Sequence, residues 1–164
     1  MPTLPDATAL CTKLAALVRP HVTPATALVG IRTGGAWVAE RLHRELGIQP
    51  ALGSIDISFY RDDYSQRGLH KGAKASQIPF DVEGAHIVIV DDVLYTGRTI
   101  RAAINELFDY GRPARVDLAV LVDRGGRELP LAATWCPQAL VLPASQTLVL
   151  AQDGDVLSFR IAEK

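Results

Sequence analysis

Apolar residues recur along this chain at two different spacings, and the way the two succeed each other predicts its elements. Near the amino end Leu10, Leu14, Leu17 and Val18 fall at i, i+4, i+7 and i+8, the stripe of an amphipathic helix, with Asp6 or Thr8 as the candidate cap. Pro20 and Pro24 end that helix. "TALVGI" at 26–31 is a continuous apolar run; "RTGG" follows it, and then Val38, Leu42 and Leu46 recur every fourth residue until Gly47, which reads as strand, turn and helix. Ile55, Ile57 and Phe59 alternate with Asp56 and Ser58, predicting a strand with one exposed side. A polar stretch over 60–77 comes next. "HIVIV" at 86–90 predicts a buried strand, Ile100, Ile104, Leu107 and Phe108 mark one face of a helix that ends at Gly111, and "VDLAVLV" at 116–122 predicts another buried strand. Short runs at 139–142, 147–150 and 156–161, set between turn residues, predict short strands that close the fold.

Strands that alternate with helices and are apolar on both faces belong to an α/β fold with a mostly parallel open sheet flanked by helices. In such sheets ligands bind just beyond the carboxyl ends of strands. That rule selects two segments, "RTGG" after the first strand and "DDVLYTGRT" after the third.

Composition narrows the function. The 164 residues are 48% hydrophobic and 21% charged, enough apolar surface for one domain with a full core, and a single domain over 1–164 is expected. A net charge of −1 excludes a general basic coat for nucleic acid and leaves room only for a local patch. Cys11 and Cys136 stand far apart with no metal-ligand or disulfide spacing, which fits a reducing cytoplasm. No secretory leader and no membrane span is expected from the sequence.

The second segment holds the parts needed to grip a phosphorylated sugar. Asp91 and Asp92 can accept hydrogen bonds from vicinal ribose hydroxyls, directly or through a divalent cation. "YTGRT" brings backbone N–H groups, two hydroxyls and a glycine to the start of a helix, where the dipole favours a phosphate. An acid pair or a Thr-Gly step alone is ordinary turn chemistry; the combination is more specific. A phospho-receiver domain also uses acids at strand ends, but here the pair follows the third strand rather than the first, and "TGRT" has no role in such a domain.

"VIVDDVLYTGRT" resembles the phosphoribosyl-pyrophosphate (PRPP) motif of type I phosphoribosyltransferases, and its wording is similar to that of the PyrR family, pyrimidine-operon attenuation proteins that are also uracil phosphoribosyltransferases. "VGIRTGG", "IDISFYRDD" and "VLVDRGGRELP" carry the same resemblance across most of the chain. It implies conversion of uracil and PRPP to UMP and pyrophosphate with Mg²⁺, and a regulator that senses UMP or PRPP while bound to pyrimidine-operon leader mRNA. It also implies site residues. Asp91 and Asp92 would hold ribose and metal, while Asp91, Asp92, Val93, Leu94, Tyr95, Thr96, Gly97, Arg98 and Thr99 form the stretch around ribose and 5′-phosphate. Arg32, Thr33, Gly34 and Gly35 correspond to the pyrophosphate loop, in which family members carry an arginine at the place of Gly34.

Arg61, Arg67, His70, Lys71 and Lys74, in the polar stretch, correspond to a loop that folds over the polyanion, with Arg61, Arg67 and Lys71 joining the acid pair in catalysis. Asp123, Arg124 and Arg127 lie in the base-reading region. In purine-using relatives the third residue after the second acid is often an aspartate; Tyr95 stands there, which favours uracil. A purine-type enzyme without an RNA role, or a regulator with vestigial catalysis, is the alternative. Self-association as a dimer or higher homo-oligomer is expected, and no membrane partner.

Overall fold

A computed structural model of the chain describes residues 3–57 and 76–164. Helix α1 (Ala7–Val18) starts where Asp6 Oδ1 accepts the Ala9 N–H at 3.1 Å. Strand β1 (Thr26–Ile31) leads into α2 (Gly34–Leu46), and Gly47 closes that helix in the left-handed conformation. Strand β2 is Gly53–Ile55, β3 is His86–Leu94, helix α3 is Arg98–Tyr110, and β4 is Arg115–Asp123. The short β5 (Gln138–Ala139) precedes a hairpin of β6 (Gln146–Asp153) and β7 (Val156–Glu163).

Five strands form one sheet in the order β2-β1-β3-β4-β5, every neighbouring pair parallel. Side chains alternate across it. Leu28, Val88, Val90, Ala119 and Leu121 pack with α1 and α2 on one face, while Val29, Ile87, Ile89, Leu118 and Val120 pack with Ile100 and Leu107 of α3 on the other. Strands covered on both sides must be apolar on both sides, which is why β1 and β4 read as unbroken runs. The hairpin pairs antiparallel along eight residues and lays Leu148, Leu150, Leu157 and Phe159 into the cluster that holds α1 and α2. Among the described residues no helix is long and apolar enough to cross a membrane.

Tertiary packing corrects three sequence expectations and gives the arrangement of a fourth element that the sequence did predict, the tail strands. Leu17 is 42% exposed and Phe108 52% exposed, because the buried stripes run through Cys11 and Ala15 on α1 and through Ala103 on α3; small residues let those helices sit closer to the sheet than a leucine-only stripe would. The strand expected at 55–59 lies at Gly53–Ile55, where pairing with β1 sets its bounds, and residues 58 and 59 fall outside the described residues. Strand β3 does not stop before the acids: it continues to Leu94 because β4 pairs with it up to Asp123. Of the three tail strands, the first joins the main sheet and the other two form a sheet of their own.

Candidate functional site

Strand order creates the site. From β1 the chain turns into α2 and emerges in β2 on one side; from β3 it turns into α3 and emerges in β4 on the other, so the two connections diverge and leave a crevice between them. Strand β1 pairs with β3 only as far as Gly30 and Val90, one residue before the acid pair. Asp91 and Asp92 thus follow the last β1 pairing, still held from the other side by β4. A cleft of about 440 Å³ opens there, and Arg32, Thr33, Gly34, Asp91, Asp92, Val93, Tyr95 and Thr99 all line it.

The two carboxylates differ in setting. Asp91 is 7% exposed, and its Oδ1 accepts the Asp92 N–H at 2.8 Å. Asp92 Oδ1 accepts the Val93 N–H at 2.8 Å. Burial holds the Asp91 carboxyl well above the usual carboxylate range, and the charge of Asp92 adds to the effect. A positive charge entering the cleft would relieve both causes.

Glycine in the Arg32 turn is a matter of space. A Cβ on Gly34 would run into the Asp92 carboxylate, and one on Gly35 would lie 2.6 Å from the Val90 carbonyl oxygen and 2.9 Å from Asp91 Cα. The turn is thereby pressed onto the end of β3. The volume a side chain at Gly34 would occupy is filled by Asp92. The Arg32–Thr33 peptide is cis. The Arg32 N–H donates to the Ile55 carbonyl at 2.9 Å and its guanidinium to Ser54 Oγ at 3.3 Å, which ties the turn to β2.

Beyond β3, Gly97 in the left-handed region (φ 95°) opens α3, and no side chain caps that helix. Thr96 Oγ1 accepts the Arg98 N–H at 3.2 Å, and the Thr96 carbonyl accepts the N–H groups of Glu128 and Leu129. Arg98 itself turns outward to Glu128 at 2.9 Å. The segment after β4 braces this loop. Arg127 donates to the Tyr95 carbonyl at 2.6 Å, to the Leu131 carbonyl at 2.8 Å and to Asp123 Oδ2 at 2.6 Å. Asp123, whose carboxylate burial would raise, is held below its usual range by the bonds from Arg127 and Gly125.

Of the three residues expected to read a base, Asp123 and Arg127 therefore pair with each other, and Arg124 lines the cleft. Arg61, Arg67, His70, Lys71 and Lys74 lie outside the described residues. The cleft also contains residues no local pattern singled out: Trp37 from α2, Ile57 after β2, residues 147–150 of β6, and Lys164. They arrive by tertiary packing, and an apolar hairpin strand carries no signal that distinguishes a cleft wall from ordinary core.

A parallel sheet with a crevice at its switch point, and in that crevice an acid pair with a glycine-tight arginine turn packed against it, define the phosphoribosyltransferase class, and residues 4–137 match the phosphoribosyl transferase domain family. Within that class the chain belongs to the PyrR family. It is 51% identical over 159 residues to the bifunctional protein PyrR of Ralstonia nicotianae, covering 94% of this chain and 91% of that one. It is 50% identical over 151 residues to the bifunctional protein PyrR of Pseudomonas entomophila, covering 90% and 88%. Among solved structures, a hypoxanthine-guanine phosphoribosyltransferase from Bacillus anthracis superposes with a TM-score of 0.67 at 16% identity, over 85% of each chain. A hypoxanthine phosphoribosyltransferase from Staphylococcus aureus gives 0.63 at 20% identity, over 85% of this chain and 74% of that one. These two share the fold.

Proposed function

We propose that the cleft transfers a 5-phosphoribosyl group from PRPP to uracil, and that the same protein binds pyrimidine-operon leader RNA in a way that UMP or PRPP modulates. One observation carries the catalytic half: the Arg32 turn and the Asp91–Asp92 pair face one cleft from the two strands that flank the switch point. In the reaction the pyrimidine N1 forms a bond to the ribose anomeric carbon, the bond from that carbon to the pyrophosphate oxygen breaks, and the N1 proton is released. Positive charge grows on the sugar while negative charge grows on the leaving group.

Each part of the site has a role under this reading. Asp91 and Asp92 accept the ribose hydroxyls and oppose the growing charge. The Tyr95-to-Thr99 turn presents backbone N–H groups at the start of α3 to the 5′-phosphate. Arg32 and the close-packed backbone of Gly34 and Gly35 receive pyrophosphate. Arg61, Arg67 and Lys71 are assigned to the leaving group from sequence alone. Among the described residues no group of three or more metal-ligating side chains occurs. Two neighbouring carboxylates do suit Mg²⁺, which takes one or two protein carboxylates and fills its shell with water and substrate oxygens. Asp91 and Asp92 would hold the ion, and when bound it would supply positive charge to the pyrophosphate. Backbone of the 123–130 segment is assigned to the base.

We read the whole chain as one domain, the hairpin beyond the family match included, since its apolar residues share the buried cluster of α1 and α2. The test is incubation of the protein with PRPP and Mg²⁺ and one of uracil, adenine, guanine, hypoxanthine or orotate, with pyrophosphate as the readout. Release with uracil and with none of the others is expected. Release with a purine alone overturns the assignment of the base.

A further inference from the structure

Tyr95 and the hairpin β6–β7 come from distant parts of the chain, and one side chain meets both. Arg124 is 5% exposed, follows β4 directly, and lines the cleft. Its guanidinium donates to the Gln146 carbonyl at 2.8 Å and the Pro143 carbonyl at 3.2 Å, with Leu142 at 3.5 Å, so it fastens the segment that begins the hairpin. The same group lies 4.0 Å from the centroid of the Tyr95 ring, within cation–π distance. Its own N–H donates to the Leu94 carbonyl at 3.0 Å, which anchors it to the end of β3. Nε is buried with no partner among the described residues.

The ring is hemmed in elsewhere too. A Cβ on Gly126 would run into it, and Lys164 Nζ stands 5.2 Å from its centroid while the Lys164 N–H donates to the Ser145 carbonyl at 2.9 Å. The residue that follows β7 and the residue that opens the phosphate turn thus meet through a cation–π contact. The carbonyl of Tyr95, by contrast, is held by Arg127 at 2.6 Å. One arginine holds the loop backbone and the other holds the ring and the hairpin.

We propose that Arg124 is a positioning residue for the base: by gripping the hairpin carbonyls and the Tyr95 ring together it sets the wall of the cleft opposite the acid pair, while Arg127 sets the phosphate turn. The inference rests on the phosphoribosyl-transfer reading for its kinetic consequence and on contacts alone for its mechanical one. A planar fork is required, because a lysine is a point charge that cannot lie flat on a ring and reach several carbonyls at once.

Three measurements on the full chain test it. In Arg124→Lys, the KM for uracil should rise by tenfold or more, while kcat and the affinity for PRPP measured by calorimetry change by less than threefold. Arg127→Lys should show the reverse bias, losing PRPP affinity. Amide hydrogen exchange at residues 146–150 should accelerate in Arg124→Lys and also in Tyr95→Leu, which removes the ring that Arg124 lies against. Equal rises in both KM values, or unchanged exchange at 146–150 in Tyr95→Leu, overturn the coupling. Wild-type protein that fails to bind PRPP instead overturns the functional reading, and the exchange result then still decides whether Arg124 links ring and hairpin.

Discussion

At the scale of single residues, the acid pair sets buried charge against the stability of the fold. Asp91 is buried beside Asp92, and burial together with that neighbouring charge raises its carboxyl well above the ordinary range. A carboxyl whose folded pKa is raised loses stability as pH climbs from the unfolded value through the folded one, so above that window it weakens the fold. Asp91→Asn with Asp92→Asn should therefore abolish PRPP turnover yet unfold at a higher temperature at neutral pH, with a gain of about 0.5–2 kcal/mol. Thermal unfolding and pyrophosphate release, measured on the same sample, check both halves, and near-normal turnover by the folded variant removes the pair from the chemistry. Gly34 makes a sharper test. Because its missing side chain is the space Asp92 fills, Gly34→Ala should lower kcat/KM for PRPP at least about tenfold, or about 1.4 kcal/mol of transition-state stabilisation. Unchanged kinetics would mean that Asp92 can move aside at no cost.

At the scale of elements, the end of the sheet away from the cleft is tied by a polar cluster that no sequence pattern announced. Asp117 of β4 is 6% exposed and accepts from His86 Nε2 at 2.7 Å, from Arg115 Nε at 2.8 Å and from Thr134 Oγ1 at 3.1 Å. His86 Nδ1 in turn lies 3.3 Å from Thr26 Oγ1, so three adjacent strands meet in one network. Burial pushes the Asp117 carboxyl up, but the bonds from Arg115, His86 and Thr134 outweigh it and the net shift is downward. A depressed carboxyl contributes stability that is present above its unfolded value of about 4 and is lost as pH falls through the folded value. Asp117→Asn should accordingly be less stable than wild type at neutral pH, with the difference shrinking as the medium is acidified toward pH 3. Denaturant unfolding across that range is the measurement; a difference that stays constant with pH assigns the loss to shape and not to charge. Leucine spacing was a fair guide to α1 and α3 but misplaced Leu17 and Phe108, because the residues that let a helix approach a sheet are the alanines and cysteine a hydrophobic count weights least.

For the whole molecule, RNA binding depends on how few cationic groups each subunit offers. The chain carries 17 basic and 18 acidic residues, and α1 with its exit offers only Lys13, Arg19 and His21 as cationic groups. Each phosphate neutralised adds close to one unit to the salt slope, so a patch of three groups on one subunit implies weak binding with a shallow slope. Self-association would place two patches on one surface and steepen it. Binding of pyrimidine-operon leader RNA, measured at two salt concentrations with and without UMP, should show a slope larger than three and a change of affinity on adding UMP. No preference over an unrelated hairpin, with no effect of UMP, would leave the enzyme without the regulator.

What the amino-acid order settled by itself is everything that depends on neighbours along the chain. Apolar runs marked β1, β3 and β4 because both of their faces are covered; "DDVLYTGRT" and "RTGG" announced chemistry because acids, hydroxyls and glycines close together can serve one ligand. Only the tertiary structure decided what depends on residues distant in sequence: that β3 runs on past the acids because β4 pairs with it, that Asp92 fills the space above Gly34, and that Lys164 and β6 stand in the cleft. It also showed Arg124, which the sequence placed with Asp123 and Arg127 in one segment, to be the group that meets both Tyr95 and the hairpin. The physical reason is that such contacts are made by closing long loops, and their partners share no spacing that could be read before the chain has folded.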